Sequence, residues 1–129
     1  ARDPQEKLRV LIDNQLRFFV ENMPEMKVLS HEGQSLTGEF RANVEAQLRR
    51  MTSITREILR EVAPASPLDE RVSAFALFGM MNWIYVWYRP ERDVDVDTLV
   101  HDMTAIFLDG FLLSARARST AARLTPLAR

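Results

Sequence analysis

The side chains that most often carry catalysis or bind metals are few in this sequence, and their spacing suits neither task. The two histidines, His31 and His101, stand outside any Glu-x-x-His pair of the kind that helical bundles use to hold two metal ions. There is no cysteine, which excludes a thiol nucleophile and a disulfide framework. The glycines form no phosphate-binding loop, and no serine stands in a nucleophile-elbow motif. We therefore predict no catalytic residue, no metal site and no cofactor, and hence a protein that is not an enzyme.

Both histidines have simpler interpretations. The segment from His31 to Ser35 contains Gly33 and is typical of a loop, so we expect His31 to be solvated. His101 follows Asp97 by one helical turn, which predicts an ordinary ion pair on the helix surface.

Methionines and phenylalanines are the residues best suited to lining a binding pocket. The sequence has 6 methionines, and several would share helical faces with Phe18, Phe19 and Phe78. Methionine fills irregular gaps in a core and also lines adaptable pockets. The residue types alone leave both alternatives open.

Three small or polar residues interrupt otherwise apolar helices. A buried Asn82 needs a hydrogen-bond partner, which a symmetry mate, a ligand or the protein's own backbone could supply. Gly79 and Gly110 each cost a helix about 1 kcal/mol relative to alanine. Their compensation is expected to be a close helix–helix contact, within one subunit or across a dimer.

These residues sit in or near one stretch, Phe75 to Tyr88, which reads FALFGMMNWIYVWY and is apolar nearly all round. Charged residues flank it, and it is shorter than the roughly 18–20 apolar residues that a membrane span needs. This length predicts no membrane association. A surface helix normally keeps one polar face, and this stretch has none. The chain's own helices should therefore cover one side of it, and a second subunit or a ligand should cover the other.

Helical periodicity dominates the rest of the chain, and no segment alternates with a period of two. The pattern predicts helices at about residues 4–22, 24–29, 37–62 and 67–89, and a last long helix capped by Asp95 or Asp97 and extending towards Thr125-Pro126. The predicted fold class is all-α, a helical bundle forming one domain over residues 1–129.

The net charge and the first residues of the chain indicate which partners and which location to expect. Net charge is −1, from 17 basic and 18 acidic side chains, whereas a nucleic-acid-binding domain is usually basic. No signal peptide is visible, so a cytoplasmic location is expected. The chain starts at Ala1 without an initiator methionine, and we expect it to be part of a longer protein.

Two helices resemble the C-terminal domain of TetR-family transcriptional regulators. The run from Ala76 to Trp83, followed by Trp87-Tyr88-Arg89-Pro90, resembles the penultimate helix of that domain, and the segment Phe107–Phe111 resembles its final helix. Leu8 to Met26 also resembles the family's fifth helix. The form GMMNWIYVWYRP is most similar to the branch that controls lipid and steroid catabolism and senses CoA thioesters.

The resemblance implies an effector-binding and dimerisation domain of a transcriptional repressor. The family's N-terminal helix-turn-helix domain, which contacts operator DNA, has no counterpart in this sequence. The family implies a homodimer through a four-helix bundle made from the last two long helices of each subunit. The interface residues predicted on this basis are Gly79, Trp83, Val86, Phe107, Gly110 and Phe111.

The resemblance also implies a ligand cavity among three of the predicted helices, those at residues 4–22, 37–62 and 67–89. Their inward faces carry large flexible side chains, and Pro24 and Gly33 interrupt the wall, so we predict an elongated, mostly apolar cavity with an entrance near Met26 and His31. The predicted ligand-binding residues are Phe19, Met23, Met26, Met51, Thr55, Phe78, Met81 and Asn82.

The class of ligand follows from the charges on these faces. No charged residue lies clearly on an inward stripe, which favours an apolar or acyl ligand. The predicted effector is hydrophobic, with an acyl-CoA or a related thioester as the candidate. Four arginines are open to two interpretations, phosphate contacts at the cavity mouth or a solvated helix face: Arg41, Arg49, Arg56 and Arg60. The alternative function is a stand-alone helical lipid carrier without a role on DNA.

Overall fold

Six helices make up the part of the chain that the computed structural model describes, residues 3–32 and 38–124. They are α1 (Pro4–Glu21), α2 (Met23–Glu32), α3 (Gly38–Val62), α4 (Glu70–Asn82), α5 (Ile84–Trp87) and α6 (Val96–Leu124). Within these ranges the side chains of Met26, Phe40 and residues 29–32 and 114–124 lie outside the description. The described residues contain no strand, so the predicted all-α class is confirmed.

Helix α1 forms the centre of the bundle. It begins as predicted, with Pro4 as its first residue and the Asp3 carboxylate accepting a hydrogen bond from the Gln5 backbone N–H at 3.3 Å. Leu8, Ile12 and Leu16 recur every four residues and are fully buried. Because α1 packs against α3, α4, α5 and α6, this stripe is the common core of the domain.

The apolar stretch forms two helices rather than the single helix predicted over residues 67–89. Helix α4 starts after Asp69, whose carboxylate accepts from the Val72 N–H at 2.8 Å. At Trp83 the hydrogen bonding tightens, since the Val86 N–H donates to the Trp83 carbonyl at 2.9 Å, and the short helix α5 follows. It ends at Trp87, because the following chain leads into Arg89-Pro90, where proline disfavours helical backbone.

Tyr88 links the end of the apolar stretch to the segment that leads into α6. Its side chain is fully buried, and its hydroxyl donates to the Val94 carbonyl at 2.9 Å. Helix α6 then begins after Asp95, whose carboxylate accepts from the Thr98 N–H at 2.8 Å. Of the two predicted caps, Asp95 therefore fills the role, and Asp97 instead pairs with Arg17 at 2.7 Å.

The second helix is longer than predicted. Helix α2 continues to Glu32, so the prediction that His31 begins a loop is wrong. Pro24 occupies its first turn, where a missing backbone N–H costs nothing, and no glycine or proline follows before Gly33. The predicted loop positions 33–37, with the Ser35 and Thr37 caps, lie outside the described residues, as do residues 125–129.

None of the described helices combines the length and the apolar composition needed to cross a membrane.

Candidate functional site

A cavity of about 1090 Å³ lies between α1, α3 and α4. Its apolar lining comes from Phe19 on α1, Leu48 and Met51 on α3, and Phe75 and Phe78 on α4. Polar and charged side chains complete the lining: Gln15, Arg49, Thr52, Ser53, Arg56, Glu57, Arg60, Arg71 and Asn82. The cavity therefore has an apolar part and a strongly basic part.

Half of the predicted ligand-binding residues line this cavity: Phe19, Met51, Phe78 and Asn82. Thr55 and Met81 do not line it, because both are fully buried in the core. Met23 is half-buried against the core instead, and the side chain of Met26, with the predicted entrance, lies outside the described residues. The apolar stripe of α3 thus lines the cavity at Leu48 and Met51 and enters the core at Thr55.

Four arginines lie at the cavity, although none was expected on an inward stripe. Arg49, Arg56 and Arg60 from α3 meet Arg71 from α4 at its lining. The three arginines of α3 lie beside, not on, its apolar stripe, and they match the first of the two interpretations considered from sequence, a position at the cavity. Arg71 was not considered from sequence. Of the four arginines considered from sequence, only Arg41 is elsewhere, where it pairs with Glu45 at 2.9 Å on the helix surface.

Glu70 is the main partner of these arginines. Arg60 donates to it from Nε at 2.8 Å and from Nη2 at 2.6 Å, and Arg56 Nη2 lies 3.7 Å away. The two hydrogen bonds from Arg60 lower the pKa of the Glu70 carboxyl below its ordinary value. Arg71 lies over the Phe75 ring at 5.2 Å, a cation–π contact that holds it at the cavity.

Two polar groups at or near the cavity are poorly satisfied. The Nε of Arg56 is buried and has no hydrogen-bond partner among the described residues. Gln15 Nε2 reaches only the Met51 sulfur, at 3.7 Å, which is a weak acceptor. Buried donors of this kind favour a ligand that brings acceptors.

A second surface combines exposed apolar side chains from α4, α5 and α6. A groove of about 410 Å³ runs along it, lined by Gly79, Met80, Trp83, Trp87, Val94, Leu99, Asp102, Met103 and Ile106. Trp83 is 58% exposed, Ile106 66% and Leu113 68%. A contiguous patch of large apolar groups is typical of a protein–protein interface.

The two glycines lie open on this surface. A Cβ atom built at Gly79 or at Gly110 meets nothing within 4 Å, so neither glycine serves a close helix contact within one chain. Of the predicted interface residues, Trp83 and Val86 are also exposed. Phe107 and Phe111 are not available to a partner, however, because they are only 8% exposed in the core of their own chain. Ile106 and Leu113, which sequence reasoning missed, occupy the outward face of α6 instead.

The described residues contain no group of three or more histidines and carboxylates that could hold a metal ion. His101 is exposed and its Nδ1 lies 3.1 Å from the Asp102 carboxylate. The predicted pair of His101 with Asp97 is therefore wrong, since Asp97 turns towards Arg17 on α1.

A family profile decides the classification of this fold. The profile described as tetracyclin repressor-like, C-terminal domain, matches residues 1–111. The chain belongs to the TetR family. Members of this family are transcription regulators and not enzymes, which confirms the prediction that the chain has no catalytic function.

Two solved structures are similar to this TetR-family domain. One is AibR in complex with isovaleryl coenzyme A and operator DNA, with 25% identity and a TM-score of 0.71 over 82% of this chain. The other is a TetR/AcrR-family transcriptional regulator from Thermobifida fusca YX-ER1, with 23% identity and a TM-score of 0.73 over 86% of this chain. The match spans 60% of the length of each of those chains. No curated protein sequence matches the chain.

Proposed function

We propose that residues 1–129 form the effector-binding, homodimerising domain of a TetR-family repressor, and that the effector is an acyl-CoA or a related hydrophobic thioester. The observation that carries this proposal is the two-part cavity, in which aromatic and methionine side chains adjoin four arginines. Family membership favours a regulator over the stand-alone lipid carrier.

An acyl-CoA matches both parts of the cavity. Its acyl chain and thioester are apolar enough to lie among Phe19, Met51 and Phe78, and its phosphates suit the guanidinium groups of Arg56 and Arg60. A volume of about 1090 Å³ is also at the upper end of ordinary ligand pockets, which reach about 1,000 Å³. The similar structure of AibR with isovaleryl coenzyme A supports the same class of ligand.

The open apolar surface supports homodimerisation. Trp83, Ile106 and Leu113 stay exposed in one chain, next to the uncovered Gly79 and Gly110. Two copies packed by this surface would place α4, α5 and α6 of each against the other, and the glycines would let the helices approach closely. Stable homodimer interfaces often exceed about 2,000 Å² of buried surface in total.

Regulation would act through the spacing of two DNA-binding domains that belong to the rest of the protein. In this proposal operator DNA is contacted only by a helix-turn-helix domain outside residues 1–129. The regulator acts in the cytoplasm. A ligand shifts the equilibrium between helix arrangements only by its differential affinity for them. The cavity suits this role because two of its walls are α3 and α4, and α4 also carries part of the proposed dimer surface.

The test is thermal unfolding of the domain with palmitoyl-CoA, isovaleryl-CoA and free CoA. A ligand at about 100 times its Kd stabilises the folded state by about 2.7 kcal/mol, which raises the melting temperature by several degrees. We expect at least one thioester to do so, and free CoA to do less because it lacks the acyl chain. No shift with either thioester would contradict the ligand half of the proposal.

A further inference from the structure

One carboxylate already binds an arginine of the cavity lining. Glu70 accepts two hydrogen bonds from Arg60, at 2.8 and 2.6 Å, and faces Arg56 Nη2 at 3.7 Å. Arg60 lines both the cavity and a small adjoining pocket that contains Glu70. Guanidinium groups also bind a phosphate or a carboxylate from a ligand in this way, so an anionic ligand group in the cavity would compete with Glu70 for Arg60.

The charges around the cavity are not balanced by Glu70. Four arginines line the cavity, and Glu57 is the one acidic residue among the lining side chains. With Glu70 included, four positive charges face two negative ones. Arg56 also keeps a buried Nε with no acceptor among the described residues. An arriving phosphate would find both excess positive charge and an unused donor.

We propose that a phosphate group of the ligand displaces Glu70 from Arg60, and that this exchange links occupancy of the cavity to the position of α4. The inference rests on the proposed function, since it needs a phosphate-bearing effector. The exchange is one of hydrogen-bond acceptors: the Arg60 N–H groups that donate to the Glu70 carboxylate donate to phosphate oxygens instead.

The structure allows Glu70 to leave without unfolding α4. The Arg60 side chain is 57% exposed and that of Glu70 35%, and ion pairs with this exposure are weak because water competes for both partners. Asp69 holds the start of the helix independently, since its carboxylate accepts from the Val72 N–H at 2.8 Å. The Ser73 hydroxyl adds a hydrogen bond to the Asp69 carbonyl at 2.8 Å.

The same pair joins two helices. Arg60 lies in the last turn of α3, and Glu70 is the first residue of α4. Among the described side chains, their hydrogen bonds are the only ones between α3 and α4. Displacing Glu70 removes this connection, and α4 continues from there to the open surface at Gly79.

A matched pair of ligands tests the role of the phosphates. Octanoyl-CoA and S-octanoyl-N-acetylcysteamine share the acyl chain and the thioester, and only octanoyl-CoA carries phosphates. Binding of each to the whole chain is measured by calorimetry for the wild type, Glu70→Gln and Glu57→Gln. Glu57 is the matched control because it adds a negative charge at the same cavity without a hydrogen bond to any described residue.

We expect Glu70→Gln to tighten octanoyl-CoA binding about three- to fivefold more than Glu57→Gln does, because Glu57 acts on Arg60 through its charge alone, whereas Glu70 also accepts its hydrogen bonds. The uncharged thioester should bind the wild type and both variants equally. The distance between spin labels at Ile54 on α3 and Val72 on α4, which are both exposed, should change with octanoyl-CoA and not with the uncharged thioester.

Three results would overturn the inference alone. Equal effects of the two substitutions would show that Glu70 acts only through its charge. Weaker octanoyl-CoA binding by Glu70→Gln would show that Glu70 orients Arg60 rather than competing with the ligand. An unchanged distance between the two labels on octanoyl-CoA binding would remove the link to α4. If neither thioester binds the wild type, the proposed function fails as well.

Discussion

Phe107 and Phe111 stack on each other inside one chain, with ring centroids 5.7 Å apart and ring planes 8° from parallel. They are one helical turn apart on α6, and each is only 8% exposed. Their position determines the rotation of α6, so that Ile106 and Leu113 face outwards. The stacked pair is therefore part of the monomer core rather than of a subunit interface.

Truncation of one ring of this pair should destabilise the folded chain. We expect Phe111→Ala to lower the free energy of unfolding by about 3–5 kcal/mol, since it removes a buried ring and leaves a cavity. The matched control is Phe18→Ala, because Phe18 is 55% exposed and should cost clearly less. Urea denaturation of both variants checks this, and equal losses would show that Phe111 is not a core residue.

Charge on the outward face of α6 should separate the subunits and leave each one folded. Ile106→Asp places a carboxylate where the side chain is 66% exposed in one chain, but it would be desolvated in the proposed dimer. We expect a dimeric mass for the wild type and a monomeric mass for this variant by light scattering. Helical circular dichroism should be retained.

The control for this prediction is Ile54→Asp on α3, where the isoleucine is 41% exposed and away from the proposed interface. Its mass should stay that of a dimer. A monomeric wild type at micromolar concentration would contradict the interface itself.

Filling the cavity should abolish ligand binding. Met51 lines the cavity and is half-buried, so Met51→Trp would place an indole in the space proposed for the acyl chain. We expect the rise in melting temperature with palmitoyl-CoA to disappear, whereas the dimeric mass stays unchanged. The control is Arg41→Gln, on α3 but away from the cavity lining, which should retain the full rise. A full rise in Met51→Trp would show that ligands bind elsewhere.

The cap of α6 should contribute to acid sensitivity. Hydrogen bonds from the Thr98 backbone N–H, and then from its hydroxyl, lower the pKa of Asp95 below its ordinary value of 3.8. A carboxylate with a depressed pKa in the folded state stabilises the fold above the pKa of the unfolded chain, and this contribution is lost as the pH falls through the folded pKa. The loss should therefore begin below about pH 4.

Two substitutions at Asp95 separate the cap from the charge. Asp95→Asn keeps a capping oxygen, so the melting temperature at pH 7 should stay near that of the wild type, with a smaller decrease in acid. Asp95→Ala removes the cap and should lower the melting temperature at pH 7 by about 4 °C. If the alanine and asparagine variants melt together at pH 7, the cap contributes nothing.

Local features of the fold were predictable from sequence because they depend on residues close together along the chain. Asp3 with Pro4 at the start of α1 is one example, and Asp95 before α6 is another. The break at Trp83 was not predictable, since no proline or glycine lies within three residues of it.

The sequence by itself determined the helical class, the start of α1, the start of α6 to within two residues, and the presence of more apolar surface than one chain can bury. Only the tertiary structure decided which apolar groups stay outside. The stretch from Phe75 to Tyr88 has no polar face to indicate its orientation, so packing against α1 selects Leu77, Met81 and Ile84 for the core. The tertiary structure also decided which arginines line the cavity. Arg60 and Arg71 meet because the turn after Val62 brings α4 back along α3, a relationship that helical periodicity does not contain.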